Sequence, residues 1–479
     1  MPKLISKLNL VRVMVVFSTI VLFFCSSLRH ALFQSNAFDL GIFDNGIYLI
    51  SQGKTPFVLF RGLHILGDHA AWILYPLALL YKIFPQVHWL FFVQAIGLSL
   101  GALPTFYLAI HAGLKPSKAT AMAAVYLLYP LIFNLNLFDF HPEVIALPAL
   151  LWAILAARLQ QVWRFTLAVI IILSCKAVLS LTVAALGIWL LFFEKKRTCG
   201  MIALFAGLSW FLIATQVIIP HFSGGEPAGV KFYDSLGDSV FEIALNLLLK
   251  PGIVLKQIFT LSNLEYLILL TVPVIWGLSP RHLTPLIPAL PILFLNLLSD
   301  SVQQKNLTQQ YSLPILPFLL VAVISTLAAG GGWLRQPKKI VLWSLIAFFA
   351  LAKYGYFCSR YLRHFDTVKA SQEAVALVDT KGSVLTADHI APHLTHRSVI
   401  MLATKGAEQF DLNEFKYILL NGSYPGWDSS RELVYSLVEK LKTMPNFQLR
   451  YQKDEVMLFE NQDNTTTIQP LKTPQIDPK

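Results

Sequence analysis

Residues 13–28 read Val13-Met-Val-Val-Phe-Ser-Thr-Ile-Val-Leu-Phe-Phe-Cys-Ser-Ser-Leu28, an apolar run without a charged side chain. Lys3, Lys7 and Arg12 precede it, and Arg29 and His30 follow it. A helix satisfies its own backbone groups, so a run of this length extended to His30 reads as a membrane-spanning helix. A basic leader ahead of an apolar run also describes a signal peptide. No small-residue cleavage site stands out here, however, and the run is long enough to remain as the first span. The basic residues before it place the N-terminus in the cytoplasm.

Outward from this stretch the pattern repeats. Runs of about span length recur as far as Phe357, in a 479-residue chain that is 55% hydrophobic and only 14% charged. A soluble domain carries about 25% charged residues, so this chain has too little polar surface to cover itself. The net charge of +11 would suggest nucleic acid in a soluble protein. Here the cations sit in short loops, with no basic face carrying interleaved aromatics, and nucleic-acid binding is excluded as a reading. Cys25, Cys175, Cys199 and Cys358 lie in or beside apolar runs with no Cys-x-x-Cys spacing, against a disulfide framework or zinc site.

Counting crossings gives a polytopic α-helical membrane protein of about eleven spans. Lys115 and Lys118, Arg158 and Arg164, Glu194-Lys-Lys-Arg197, Arg281, and Arg335, Lys338 and Lys339 then all fall on the inner side. Residues 1–359 form the transmembrane domain, whose first outer loop, 31–88, carries two helices lying along the membrane surface. Residues 165–193 form a hairpin with Lys176 near its outer tip, and Pro220 to about Asn263 is a long outer loop. The count also puts residues 360–460 outside the cytoplasm. There helical and alternating patterns predict a small α/β domain: helices over 365–378 and 430–441, strands over 383–386 and 416–420, and a terminal hairpin over 447–459. Residues 461–479 read as a disordered tail.

Charged groups near membrane depth are expensive, so the outer-face polar clusters are functional candidates. The first is Phe38-Asp-Leu-Gly-Ile-Phe-Asp-Asn45. Asp39 reads either as a helix N-cap or as a catalytic carboxylate, and Asp44 would diverge from it by about 140° on a continuous helix. The second is Gly67-Asp-His69, with His64 ahead of it: Asp68 and His69 form either a general-base or metal unit or an interfacial pair. The third is Asp139-Phe-His-Pro-Glu143, where Asp139, His141 and Glu143 could hold a divalent cation such as Mg or Mn. Alternatively Pro142 and Glu143 simply open the next helix. Lys176 could hold a phosphate as a point charge or snorkel to the interface. Gln309, Gln310 and Tyr311 open a later span and could bind a ligand or cap it.

These motifs, with Gln310-Tyr-Ser-Leu-Pro-Ile-Leu-Pro-Phe318 and Ala391-Pro-His-Leu-Thr-His-Arg397, resemble the bacterial and archaeal membrane proteins grouped as domain of unknown function 2079. The resemblance covers roughly residues 10 to 460. That family is in turn similar to the membrane-embedded glycosyltransferase C (GT-C) superfamily, which uses polyprenyl-phosphate sugars and often carries an outer C-terminal domain. The resemblance implies an integral protein of the bacterial inner or plasma membrane. It implies that Asp39 is the catalytic or acceptor-activating carboxylate. Asp68, His69, Asp139, His141 and Glu143 would line one cavity, with Asp44, His64, Lys176, Gln310 and Tyr311 serving substrate or phosphate. One departure stands out: the hairpin tip reads Lys176-Ala-Val178 where the family commonly has Lys-Glu-Asp. Loss of that acidic pair raises the alternative of a non-catalytic lipid- or glycan-binding envelope protein. A transporter or flippase is a further alternative, against which no inverted repeat is apparent.

Overall fold

The computed structural model describes residues 2–463. Among them, six helices are long and apolar enough to cross a membrane: Pro2–Ala31, His88–His111, Pro116–Asn136, Arg197–Ser223, Gln310–Ala328 and Pro337–Arg363. A seventh crossing is available if Pro251–Ile258 and Leu261–Thr271, bent by 56° at their junction, act as one. Helix length therefore does not carry the expected eleven. Val162–Cys175 and Leu179–Phe192 have 14 residues each and Glu143–Arg158 has 16. At about 1.5 Å per residue these reach roughly 21–24 Å, short of a hydrocarbon core of about 30 Å.

Small residues let two of these helices touch. A side chain at Gly187 would collide with the Leu204 backbone, and one at Gly207 with the Ala184 backbone, so Leu179–Phe192 and Arg197–Ser223 pack backbone against backbone. The segment expected as a long outer loop contains helices of its own, Val240–Leu249 and Pro251–Ile258. Ser239 and Glu242 open the first as a capping box: Ser239 Oγ accepts from the Glu242 amide at 3.1 Å, and the Glu242 carboxylate accepts from the Asp238 amide at 3.1 Å.

The first outer loop differs from two helices lying on the membrane. A single π-turn, Ala37–Gly41, runs into the helix Ile42–Ser51, which is buried at nine of its ten positions. Then come the two-residue strands β1 (Phe57–Val58) and β2 (Leu63–His64), the short helix Ile65–His69 and the helix Leu74–Ile83. Ile42, Phe43, Ile47 and Leu49 of this helix join the core of the membrane part, while Asp44 and Asn45 meet the chain's C-terminal part.

That part begins with the helix Phe365–Ala376. It continues through β3 (Val384–Thr386), β4 (Ile400–Leu402), β5 (Tyr417–Asn421), the helix Arg431–Thr443, β6 (Phe447–Lys453) and β7 (Val456–Asn461). The five strands form one mixed sheet in the order β4-β3-β5-β7-β6; β3 pairs in parallel with β4 and β5, and the other pairs are antiparallel. Strand alternation explains why both faces of β5 are buried. Tyr417 and Leu419 face a cluster with Val368 and Ala374, together with Phe33 and Ala37 of the outer loop. Ile418 and Leu420 face Leu433, Leu437 and Leu441 of the second helix. The segment 464–479, most of the tail expected to be disordered, lies outside the described residues.

Candidate functional site

Asn36 sets the first wall. Its side-chain oxygen accepts from the Asp39 amide at 2.9 Å, and its amide nitrogen donates to Asp39 Oδ2 at 2.7 Å. Asn36, rather than Asp39, is therefore the cap of the turn. The Asp39 carboxylate is left to meet His141 Nε2 at 3.4 Å, while keeping a side-chain exposure of 23%. Burial pushes the Asp39 carboxyl upward, but the His141 bond and charge and the Asn36 bond outweigh it, and the net shift is downward. The ring of His141 is held by stacking on Phe138, centroids 5.5 Å apart, and by its Nδ1 at 3.2 Å from the Asp139 carbonyl.

Gly67 explains the second wall. A Cβ there would lie 2.8 Å from the Phe222 backbone, so only glycine lets the loop press against the end of the Arg197–Ser223 helix. That contact fixes Asp68 and His69. Asp68 accepts from Arg61 at 2.9 Å and lies 3.3 Å from His69 Nε2. Burial raises the Asp68 carboxyl, and His69 and Arg61 more than reverse it. The His69 carbonyl accepts from the Ala177 amide at 2.9 Å, tying the loop to the hairpin tip. There the buried Lys176 donates to Glu143 Oε1 at 2.7 Å and sits 5.7 Å from the Tyr311 ring.

These walls enclose a cavity of about 440 Å³ lined by Asp39, Arg61, Asp68, His69, His141, Glu143, Lys176, Gln310 and Tyr311. The same lining includes the apolar Leu181, Phe211, Ile219, Val230, Ile243 and Leu295. A buried Lys176 and a half-buried Arg61, each paired with a carboxylate among apolar side chains, suit a molecule with an anionic head and a hydrocarbon body.

Three expected residues lie elsewhere. Asp44 does not face the cavity: it accepts hydrogen bonds from Tyr81 and Thr395 and lies 3.2 Å from His396 Nε2, against the C-terminal sheet domain. Asn45 beside it donates to the carbonyls of Thr395 at 2.6 Å and Arg397 at 3.0 Å. His64 caps the short helix by accepting from the Leu66 amide at 3.2 Å and stacks on Phe222 at 4.1 Å. Asp139 is paired with Arg29, whose Nη2 donates to it at 2.9 Å, and accepts from the Asn36 amide at 3.3 Å. It braces the turn that carries Asp39.

The metal reading does not fit. Asp139 turns to Arg29, His141 to Asp39 and Glu143 to Lys176, so the three side chains diverge. Among the described residues no group of three His, Cys, Asp or Glu side chains is arranged to hold an ion. Sequence reasoning missed Arg29, Asn36, Arg61, Tyr81, Thr395 and His396. A signal existed for Arg29, a cation at the C-terminal end of the first apolar run, which the expected inward placement of basic residues leaves unexplained.

A family model described as "Predicted membrane protein (DUF2079)" matches residues 29–458. No curated protein matches the chain. Among solved structures, ArnT from Cupriavidus metallidurans bound to undecaprenyl phosphate is similar in fold. It has a TM-score of 0.52 and 12% identity, covering 95% of this chain and 99% of that one. The same protein in the apo state matches with a TM-score of 0.49 and 13% identity, over 94% and 97%. At 12% identity, the likeness to the liganded ArnT structure is one of fold.

Proposed function

This chain belongs to the DUF2079 family of predicted membrane proteins, and from that premise we propose that it is a glycosyltransferase-like protein working at the outer membrane face. It would transfer a sugar from a polyprenyl-phosphate carrier to an acceptor hydroxyl. The observation that carries the reading is the cavity's mixed lining: cations paired with carboxylates, together with a long set of apolar side chains. The prenyl chain would lie along Phe211, Ile219 and Leu295, and the phosphate against Lys176 and Arg61. Glu143 and Gln310 line the cavity, and their buried Oε2 and Oε1 have no hydrogen-bond partner, so sugar hydroxyls that reached them would satisfy both. The acceptor oxygen attacks the anomeric carbon, and its proton passes to Asp39. The bond from that carbon to the phosphate oxygen breaks, and its electron pair leaves on a phosphate steadied by Lys176. His141 holds the Asp39 carboxylate in place, and no metal is invoked.

The topology belongs to the same proposal. The short helices 143–158, 162–175, 179–192 and 284–298 complete eleven crossings, with the N-terminus cytoplasmic and a domain over 360–460 outside. Paired periplasm-active and cytoplasm-active reporters fused after Phe459 test it, and a cytoplasmic signal would overturn an outer-face site. The chemistry is tested by reconstituting the full chain with undecaprenyl-phosphate sugars. Turnover that survives Asp39→Asn removes Asp39 as base.

A second reading has its own observation. Ala177 and Val178 place no acid at the hairpin tip beside Lys176, and both line the cavity. A non-catalytic lipid- or glycan-binding member would bind undecaprenyl phosphate through Lys176 without turning over any sugar-loaded form.

A further inference from the structure

The face opposite the cavity carries a second concavity. Three helices, Pro2–Ala31, Pro116–Asn136 and Pro337–Arg363, leave between them a groove of about 950 Å³. Lys7 and Lys338 stand at its polar end, and Met14, Ala124, Leu342 and Leu345 form its floor. From Lys7 to Met14, or from Lys338 to Leu345, is about 10 Å along a helix, so the apolar part reaches well into the hydrocarbon layer. Among the described residues neither lysine has an acidic partner. Lys3, Lys115, Lys118, Arg335 and Lys339 belong to the same basic face. The Pro116 and Pro337 helix starts, both without a capping side chain, turn further uncompensated amides toward this end.

We infer that this groove holds an anionic phospholipid, its phosphate between Lys7 and Lys338 and one acyl chain along the floor. Charge complementarity selects the headgroup. A basic pocket between spanning helices on a positively charged face attracts anionic lipid, and each lysine adds favourable energy at the surface. A choline or ethanolamine head brings its own cation to two unpaired lysines and gains less. Hydrocarbon complementarity selects a lipid over a free phosphate, which would use only the rim. The inference is independent of the chemistry in the outer cavity.

The test uses the full chain extracted from bilayers of equimolar phosphatidylglycerol and phosphatidylcholine, with retained lipid identified by native mass spectrometry. The wild type is expected to keep phosphatidylglycerol over phosphatidylcholine by on the order of tenfold. Lys7→Ala with Lys338→Ala should bring the ratio close to one, while Lys118→Ala with Lys339→Ala, on the same face but outside the groove, should leave it standing. Leu342→Trp fills the floor and keeps both lysines, and should expel the lipid as well. A wild-type ratio near one overturns the inference, as does an equal loss in both double variants, which would mean diffuse attraction. Retention unchanged by Leu342→Trp also overturns it.

Discussion

Asp39 and Asp44 are five residues apart in one loop, yet they face in different directions. Asp39 lines the cavity, keeps some exposure and has His141 beside it. Asp44 is 1% exposed and is spent on Tyr81, Thr395 and His396. Asp39 stands in the π-turn and Asp44 in the helix that follows it, and the five intervening steps point the two side chains apart. The difference separates two tasks that residue type alone would merge: one carboxylate is available to a substrate, and the other latches the C-terminal sheet domain onto the loop. The latch also bears on the cavity, because Phe33 and Ala37, next to Asn36, pack into the sheet's own core.

Removing the charge at each position should give opposite phenotypes. Asp39→Asn is expected to lower turnover of a polyprenyl-phosphate sugar by about 10²–10⁴-fold, the usual worth of a positioned base, with the C-terminal domain as protease-resistant as before. Turnover within a few-fold of wild type would reduce Asp39 to a structural group. Asp44→Ala strips one acceptor from the buried Tyr81 and Thr395 and from the half-buried His396, a loss of about 3–5 kcal/mol when a buried pair is broken. Limited proteolysis should then cut residues 360–383 far faster than in wild type. If cleavage is unchanged, the latch is not what holds the domain.

A smaller effect is expected at Lys176, which serves the cavity alone. Lys176→Ala removes a charge-assisted bond worth about 1.5–3 kcal/mol, so undecaprenyl phosphate should bind roughly ten- to a hundredfold more weakly. Glu143→Gln, which frees the lysine from its carboxylate, should not weaken binding. Equal losses from both variants would mean that the ion pair shapes the cavity rather than offering a cation.

How much of this was legible beforehand differs between the same two regions. The apolar runs announced a membrane protein, and the β-type run over 416–420 announced a strand, whose burial on both faces came only with the packing of the sheet. The cavity's residue types were also readable, because polar groups stand out in an apolar chain. The partner of Asp44 was not: Thr395 and His396 lie about 350 residues away, and no local pattern encodes so distant a contact. Asn36 as the cap was hidden because Ser35-Asn-Ala-Phe-Asp39 offers several capping side chains within one turn. Helix length carries six or seven of the eleven expected spans, since helices of 14–16 residues are ambiguous between crossing a bilayer and packing within a bundle.

The finest test of the comparison is acidity. Burial raises the Asp44 carboxyl, but the His396 charge and bond, with those from Thr395 and Tyr81, overcome it and hold the carboxyl below its ordinary value. A group whose folded pKa is depressed stabilises the fold fully above its unfolded pKa, about 3.9 for Asp, and loses that contribution as pH falls through the folded value. The latch should therefore hold through neutral and mildly acid conditions and weaken only below about pH 4. Pepsin cleavage of the 360–383 segment, followed downward in pH, should rise there in the wild type. In Asp44→Asn, which has no proton to gain, cleavage should start higher and change less. Parallel curves for the two proteins would mean that another group controls the opening, and that the charge on Asp44 contributes nothing beyond its hydrogen bonds.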